Sequence, residues 1–452
     1  MTVDLLVKGG RIIDPEFVYE ANIAIDEGKI VAIGSDASMA PATRTIDVHG
    51  MYVLPGIIDA HVHFREPGLE YKEDFSSGSM AAIFGGVTSV CDMPNVKPPT
   101  QDAASFKLKL QRGLEKSLVD FAIFGVVLPT NMDKIQELKD EGVIGFKIFM
   151  GETVGNLPSP DDWELVEGFR EIAKTGLRVG VHAENRSITT HLVSRFKDAG
   201  MSDAIYHLLS RPSISEAEAI QRAILFADYC KAKLHIFHTS SKEGVDVIRR
   251  AKRAGSEVTA ETCPHYLLLD GEEGLRKMGP LIKMNPPVRT LDNAEALWGG
   301  LKDHTIDMIA TDHSPHSHEE KFKANIWEAI AGWPGVETFL PLMLTEVNKG
   351  RLSLNEIARD MSEQPACVWG FYPRKGRIGI GSDGDLTVVD LKKEWVIRSE
   401  NLHSKSRFTP FDGWKAKGSI EYTIIRGDVL FEQGQITPDE HKARLITPQR
   451  IY

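Results

Sequence analysis

Eight short apolar segments, each running into a polar cluster and separated by stretches of helical periodicity, constrain this chain more than any other feature. They read PGIIDAHVHF, GVTSVCDMPN, VDFAIFGVVLP, GVIGFKIFM, LRVGVHAEN, KLHIFHTSS, SEVTAETCPHY and IDMIATDHSPH. Several are apolar almost throughout, as strands buried on both faces are. Between them, residues 160–175 and 215–231 space their apolar residues as helices do, the second expected to open at Ser215. Strand then helix, eight times over, predicts an α/β fold with a parallel (β/α)8 TIM barrel rather than an open doubly wound sheet.

The chain has 452 residues, well beyond the barrel's usual length of about 250, so something must flank it. Both flanks alternate like short strands joined by Gly-Lys, Asp-Gly and Gly-Asp turns. Residues 1–55 and 376–452 are therefore expected to supply the two parts of one small β-sandwich, the latter with a tail, around a barrel over 56–375. Hydrophobic residues make up 42% and charged residues 26%, which excludes disorder and coiled coil. A net charge of −11 without a basic run argues against nucleic acid or an anionic membrane surface as partner. No apolar run is long enough to span a bilayer, and the amino terminus lacks a secretory pattern. The four cysteines form no CxxC pair and no disulfide framework, so a cytoplasmic setting is expected.

Metal-competent residues stand at the carboxyl ends of the expected strands. His61 and His63 lie two apart on the first strand and so face the same way. His182 and His238 end the fifth and sixth strands, and Asp312 ends the eighth. Nitrogen and carboxylate donors without thiolate suit Zn²⁺ in an open catalytic site, and Mn²⁺, Co²⁺ and Ni²⁺ are compatible with the same set. Lys147 lies inside the apolar run of the fourth strand. Desolvation and neighbouring metal ions would favour its neutral amine, which can add CO₂ and become a carbamate able to bridge two ions.

With those residues in place, the chain resembles the cyclic amidohydrolases, the dihydroorotase, allantoinase and hydantoinase group of the amidohydrolase superfamily. The likeness runs nearly end to end, through LPGIIDAHVHFREPG, GFKIFM, VHAEN, ETCPHYL, IATDHSPH and KGRIGIGSDGDLTVVDL. It implies two divalent ions, one on His61, His63 and Asp312 and the other on His182 and His238, bridged by N6-carboxylysine at Lys147 and a hydroxide. Hydroxide attack on a cyclic amide, with Asp312 carrying the proton to the leaving nitrogen, is the implied chemistry. Dimers or tetramers are also implied. A non-enzymatic scaffold of the same superfamily would be expected to have lost Lys147 or Asp312, and this chain has both.

Which ring is opened depends on the pocket. Arg65, two residues past the His pair, is suited to grip a carboxylate through two parallel hydrogen bonds. Asn95, Asn285 and His316 match the substrate-binding positions of dihydroorotases. The resemblance implies that Arg65, Asn95 and His316 cradle the carboxylate while Asn285 meets the ring. The Asp-His-Ser-Pro step and the Lys147 segment are more like allantoinases and hydantoinases. Because function resides in the site, dihydroorotase activity is the first expectation, with allantoinase or hydantoinase as alternatives.

Overall fold

The computed structural model describes residues 2–151, 157–437 and 441–449. At the amino end lie β1 (Val3–Ile13), β2 (Val18–Asp26), β3 (Lys29–Gly34), β4 (Ala42–Asp47) and β5 (Tyr52–Pro55). The eight apolar segments follow as β6 (Ile57–Val62), β7 (Val87–Asp92), β8 (Asp120–Val126), β9 (Gly145–Phe149), β10 (Arg178–His182), β11 (Lys233–Ile236), β12 (Val258–Thr262) and β13 (Met308–Ile309). Near the carboxyl end come β14 (Leu386–Val396), β15 (Lys415–Ile425), β16 (Asp428–Glu432) and β17 (Gln435–Ile436).

Strands β6 to β13 pair in chain order, all parallel. The barrel closes where Val62 bridges His313, with the His63 amide donating to the His313 carbonyl at 2.8 Å. β6 to β9 are buried along their whole length, which explains their near-continuous apolar character. Aromatic rings plug the amino-terminal end. Trp369 stacks on Phe237 at 5.8 Å and meets Phe124 edge-on at 4.7 Å. Gly145 opens β9 beneath that plug, where a Cβ would come within 2.8 Å of the Trp369 ring. With one end filled, chemistry is left to the loops at the carboxyl ends of the strands.

Both chain ends do build one β-domain, as a single mixed sheet of nine strands. β5 is its seam, parallel to β1 on one side and antiparallel to β14 on the other. Leu5, Ile23, Val53, Leu386 and Ile424 share one core across that seam. Buried charges tie this domain to the barrel. Lys375 donates to Asp120 of β8 at 2.8 Å and to Asp385 at 2.5 Å, and Arg426 also donates to Asp120. Removing one member would leave uncompensated buried charge.

One helix boundary departs from its expected place. The helix spans Ser213–Cys230, and Ser215 is buried in its first turn instead of capping it. Pro212 sets the start with its fixed φ, and the Ser215 carbonyl instead accepts from the Asn185 amide at 2.8 Å. The helix Asp162–Thr175 is capped as its sequence indicates, Asp161 and Glu164 forming a reciprocal capping box. No helix among the described residues is long and apolar enough to cross a membrane.

Candidate metal centre

His61 lies on β6 and His63 one residue past its end, and both imidazoles turn toward Asp312. The Nε2 atoms of His61 and His63 lie 3.3 and 3.1 Å from Asp312 Oδ1, and one donor atom from each of the three falls within 4.8 Å of the others. Across the barrel mouth, His182 Nδ1 and His238 Nε2 approach to 3.0 Å. The His61 and His238 rings are 5.3 Å apart, so the two groups adjoin. Burial pushes the Asp312 carboxyl up, but the His63 hydrogen bond and nearby positive charge outweigh it and hold the group below its ordinary range.

Outer partners orient the imidazoles. His61 Nδ1 meets Glu261 Oε1 at 2.5 Å, His63 Nδ1 meets Asn95 Oδ1 at 2.8 Å, and His182 Nε2 meets Glu184 Oε2 at 2.9 Å. An acceptor on the outer nitrogen keeps the proton there and turns the inner lone pair toward the shared space. His61 Nε2 and His238 Nδ1 are buried without a hydrogen-bond partner among the described residues. Such orphaned lone pairs beside a carboxylate fit divalent cations bound by nitrogen and oxygen. Glu261→Gln should therefore weaken metal binding about ten- to a hundredfold in chelator competition, because His61 Nδ1 loses the carboxyl group that orients it.

Lys147 lies 1% exposed in β9, with Nζ 3.7 Å from the centre of the Phe237 ring and no carboxylate at ion-pair distance among the described residues. Burial pulls its amine down to about 7, against the opposing pull of Asp312 and Glu261. Desolvation thus makes neutral amine available near neutral pH.

Arg65, Asn95 and Asn285 line the same cavity as the four histidines, Lys147 and Asp312. Arg65 is 1% exposed, and burial lowers its pKa to about 10. Its Nε donates to the Pro315 carbonyl at 3.1 Å, Nη2 faces His316 Nε2 at 3.1 Å, and Nη1 is buried without a partner among the described residues. The nearby acids are committed elsewhere, Glu66 to Lys116 at 2.6 Å and Glu70 to the Gly68 amide at 2.8 Å. Asn285 Oδ1 is likewise buried without a partner among the described residues. His316 stands apart from the others. It does not line this cavity but backs Arg65, with Nδ1 3.2 Å from Lys72 Nζ.

Three site residues occupy the left-handed region that favours glycine: Arg65 at φ 63°, His238 at φ 40° and Asp312 at φ 48°. Such backbone costs about 1–3 kcal/mol per residue and persists where surrounding structure holds it. Here it aims an imidazole, a carboxylate or a guanidinium into the cavity.

Several contributors were not singled out from sequence. Glu184 joins His182 to Arg211, which donates to it at 2.5 Å. Asp59 accepts from the Thr311 amide at 3.1 Å and its hydroxyl at 2.5 Å, bracing the residue before Asp312. Period-two spacing from His182 to Glu184 and from Asp59 to His61 was the available signal. His313 points away from the cavity, its Nδ1 accepting from the Gly335 and Val336 amides. His235 bonds Glu261 from the other side at 3.2 Å.

Residues 52–430 match the Amidohydrolase family. The allantoinase of Rubrobacter xylanophilus is 39% identical over 450 residues, covering 99% of this chain and 98% of its own. The dihydroorotase of Methanosarcina acetivorans is 40% identical over 443 residues, covering 96% and 93%. Among solved structures, L-hydantoinase (dihydropyrimidinase) from Arthrobacter aurescens superposes with a TM-score of 0.94 at 36% identity, covering 97% of this chain and 98% of its own. Three differently named enzymes at nearly equal identity do not select one ring.

Proposed function

We propose, from the premise that this chain belongs to the amidohydrolase family, that it is a cyclic amidohydrolase whose ring substrate bears a carboxylate, with L-dihydroorotate the best fit. The observation that carries the substrate is Arg65, a guanidinium in the cavity wall with a buried Nη1 and, among the described residues, no hydrogen-bond partner for it and no carboxylate at ion-pair distance. A buried cation left without its anion is costly, so the site is complementary to an anionic ring.

Held by His61, His63 and Asp312 on one side and His182 and His238 on the other, with Lys147 as a shared carbamate ligand, two divalent ions of the zinc type would supply a water of lowered pKa and a polarised carbonyl. The protein's own groups do the rest. Asp312 uses Oδ1 toward His61 and His63, leaving its second oxygen to take the proton of the attacking water and pass it to the departing ring nitrogen. Arg65 grips the substrate carboxylate, and Asn285 Oδ1 is available to a ring N–H. Asn95 acts first through His63, whose Nδ1 proton it accepts, and His316 acts through Arg65. The water oxygen joins the acyl carbon, the ring C–N bond breaks, and the product gains a carboxylate.

Ser314 favours a second reading. Its hydroxyl donates to Asp312 Oδ1 at 3.2 Å, in the step that resembles allantoinases. Side-by-side turnover of L-dihydroorotate, allantoin and hydantoin by zinc-loaded protein separates the readings. We expect kcat/KM for L-dihydroorotate to exceed the others at least about tenfold, the discrimination expected when neutral rings leave the Arg65 charge unpaired. Preference for allantoin would overturn the substrate assignment and leave the reaction class standing.

A further inference from the structure

The inner cavity encloses about 40 Å³ and adjoins an outer one of about 960 Å³, Asn285 and Ala331 lining both. The outer wall is cationic in a chain of net charge −11. Lys97, Arg186, Lys197 and Lys323 line it without an ion-pair partner among the described residues, whereas Lys72 is paired to Glu320 at 2.8 Å. Arg211, 5% exposed, spends Nη1 on Glu184 and keeps a buried Nε without a partner among the described residues. Glu319 and Glu328 are the remaining acids of that wall, and they are outnumbered.

Opening a cyclic ureide of the dihydroorotate, hydantoin or allantoin kind leaves a neutral ureido nitrogen and a carboxylate that the ring lacked, so the product is one charge more negative than the substrate. We propose that the outer cavity is an anion subsite for the ring-opened N-carbamoyl acid, holding its new carboxylate as it leaves and capturing the same open-chain acid when the reaction runs toward ring closure. A concave wall of one sign concentrates such ions in a way that salt screens. This rests on the ring-opening reading but not on which ring is opened.

The test is inhibition by N-carbamoyl-L-aspartate and by N-carbamoylglycine across a range of ionic strength, in the wild-type holoenzyme and in the double variant Lys197→Gln/Lys323→Gln. Both side chains are exposed and line the outer cavity but not the inner one. The inhibition constants should rise about fivefold in the variant at low salt, with a shallower salt dependence. The variant Lys197→Arg/Lys323→Arg should restore both. N-carbamoylglycine is the product from hydantoin, so the experiment stands even where L-dihydroorotate is not turned over. Constants unchanged in the Gln variant, or wild-type inhibition indifferent to salt, would overturn the proposal.

Discussion

Lys147→Ala is expected to abolish ring opening, with kcat/KM falling more than about a thousandfold, about 4 kcal/mol of transition-state stabilisation. Bound metal should drop below two equivalents per chain. The expectation follows from position, since Lys147 Nζ is buried over Phe237 and lines the cavity with all four histidines and Asp312. Burial brings its pKa to about 7, which leaves a nucleophilic amine for CO₂ at neutral pH. Lys147→Arg is the informative companion. Arginine keeps the cation and much of the bulk but stays protonated, so it cannot form a carbamate. Loss of both metal and turnover in the Arg variant fits a carbamate ligand. Wild-type turnover with Arg at that position would show that only a buried cation is needed.

Arg65→Ala should separate substrate recognition from metal chemistry. Its KM for L-dihydroorotate should rise about a hundredfold, or roughly 2–3 kcal/mol, the scale of a buried hydrogen bond to a charged group. Metal content should not change, because Arg65 bonds His316 and the Pro315 carbonyl instead of His61, His63, His182 or His238. Neutral rings should lose much less. Arg65→Lys should recover little, since an ammonium cannot reproduce two parallel hydrogen bonds to a carboxylate. Steady-state kinetics with metal analysis of each variant reads both quantities, and an unchanged KM would remove the main support for an anionic substrate.

The barrel strands were legible because fully buried parallel strands write themselves as apolar runs, as Gly145–Phe149 does. His61 and His63 were legible because a period of two is local information. The seam of the β-domain was not, since Val53 pairs with Val388 across the whole barrel and only tertiary structure brings them together. The place of His316 was hidden for a similar reason. Its side chain is set by the path of the loop that packs it between Arg65 and Lys72, so it supports the guanidinium and does not line the cavity. Glu261 was passed over because a glutamate within the Val258–Thr262 strand carries no mark of its target, His61 on β6. Ser215 misled through its type alone, a good capping residue placed two positions inside a helix that Pro212 had already started.

The most direct test of the account is a Zn²⁺ titration of metal-free protein while following the ring opening of L-dihydroorotate. The account predicts no turnover without metal and a rise that levels off at two equivalents per chain, as the His61–His63–Asp312 and His182–His238 groups fill. Ring opening by the metal-free protein at the plateau rate, or two bound equivalents with no ring opening, would contradict it.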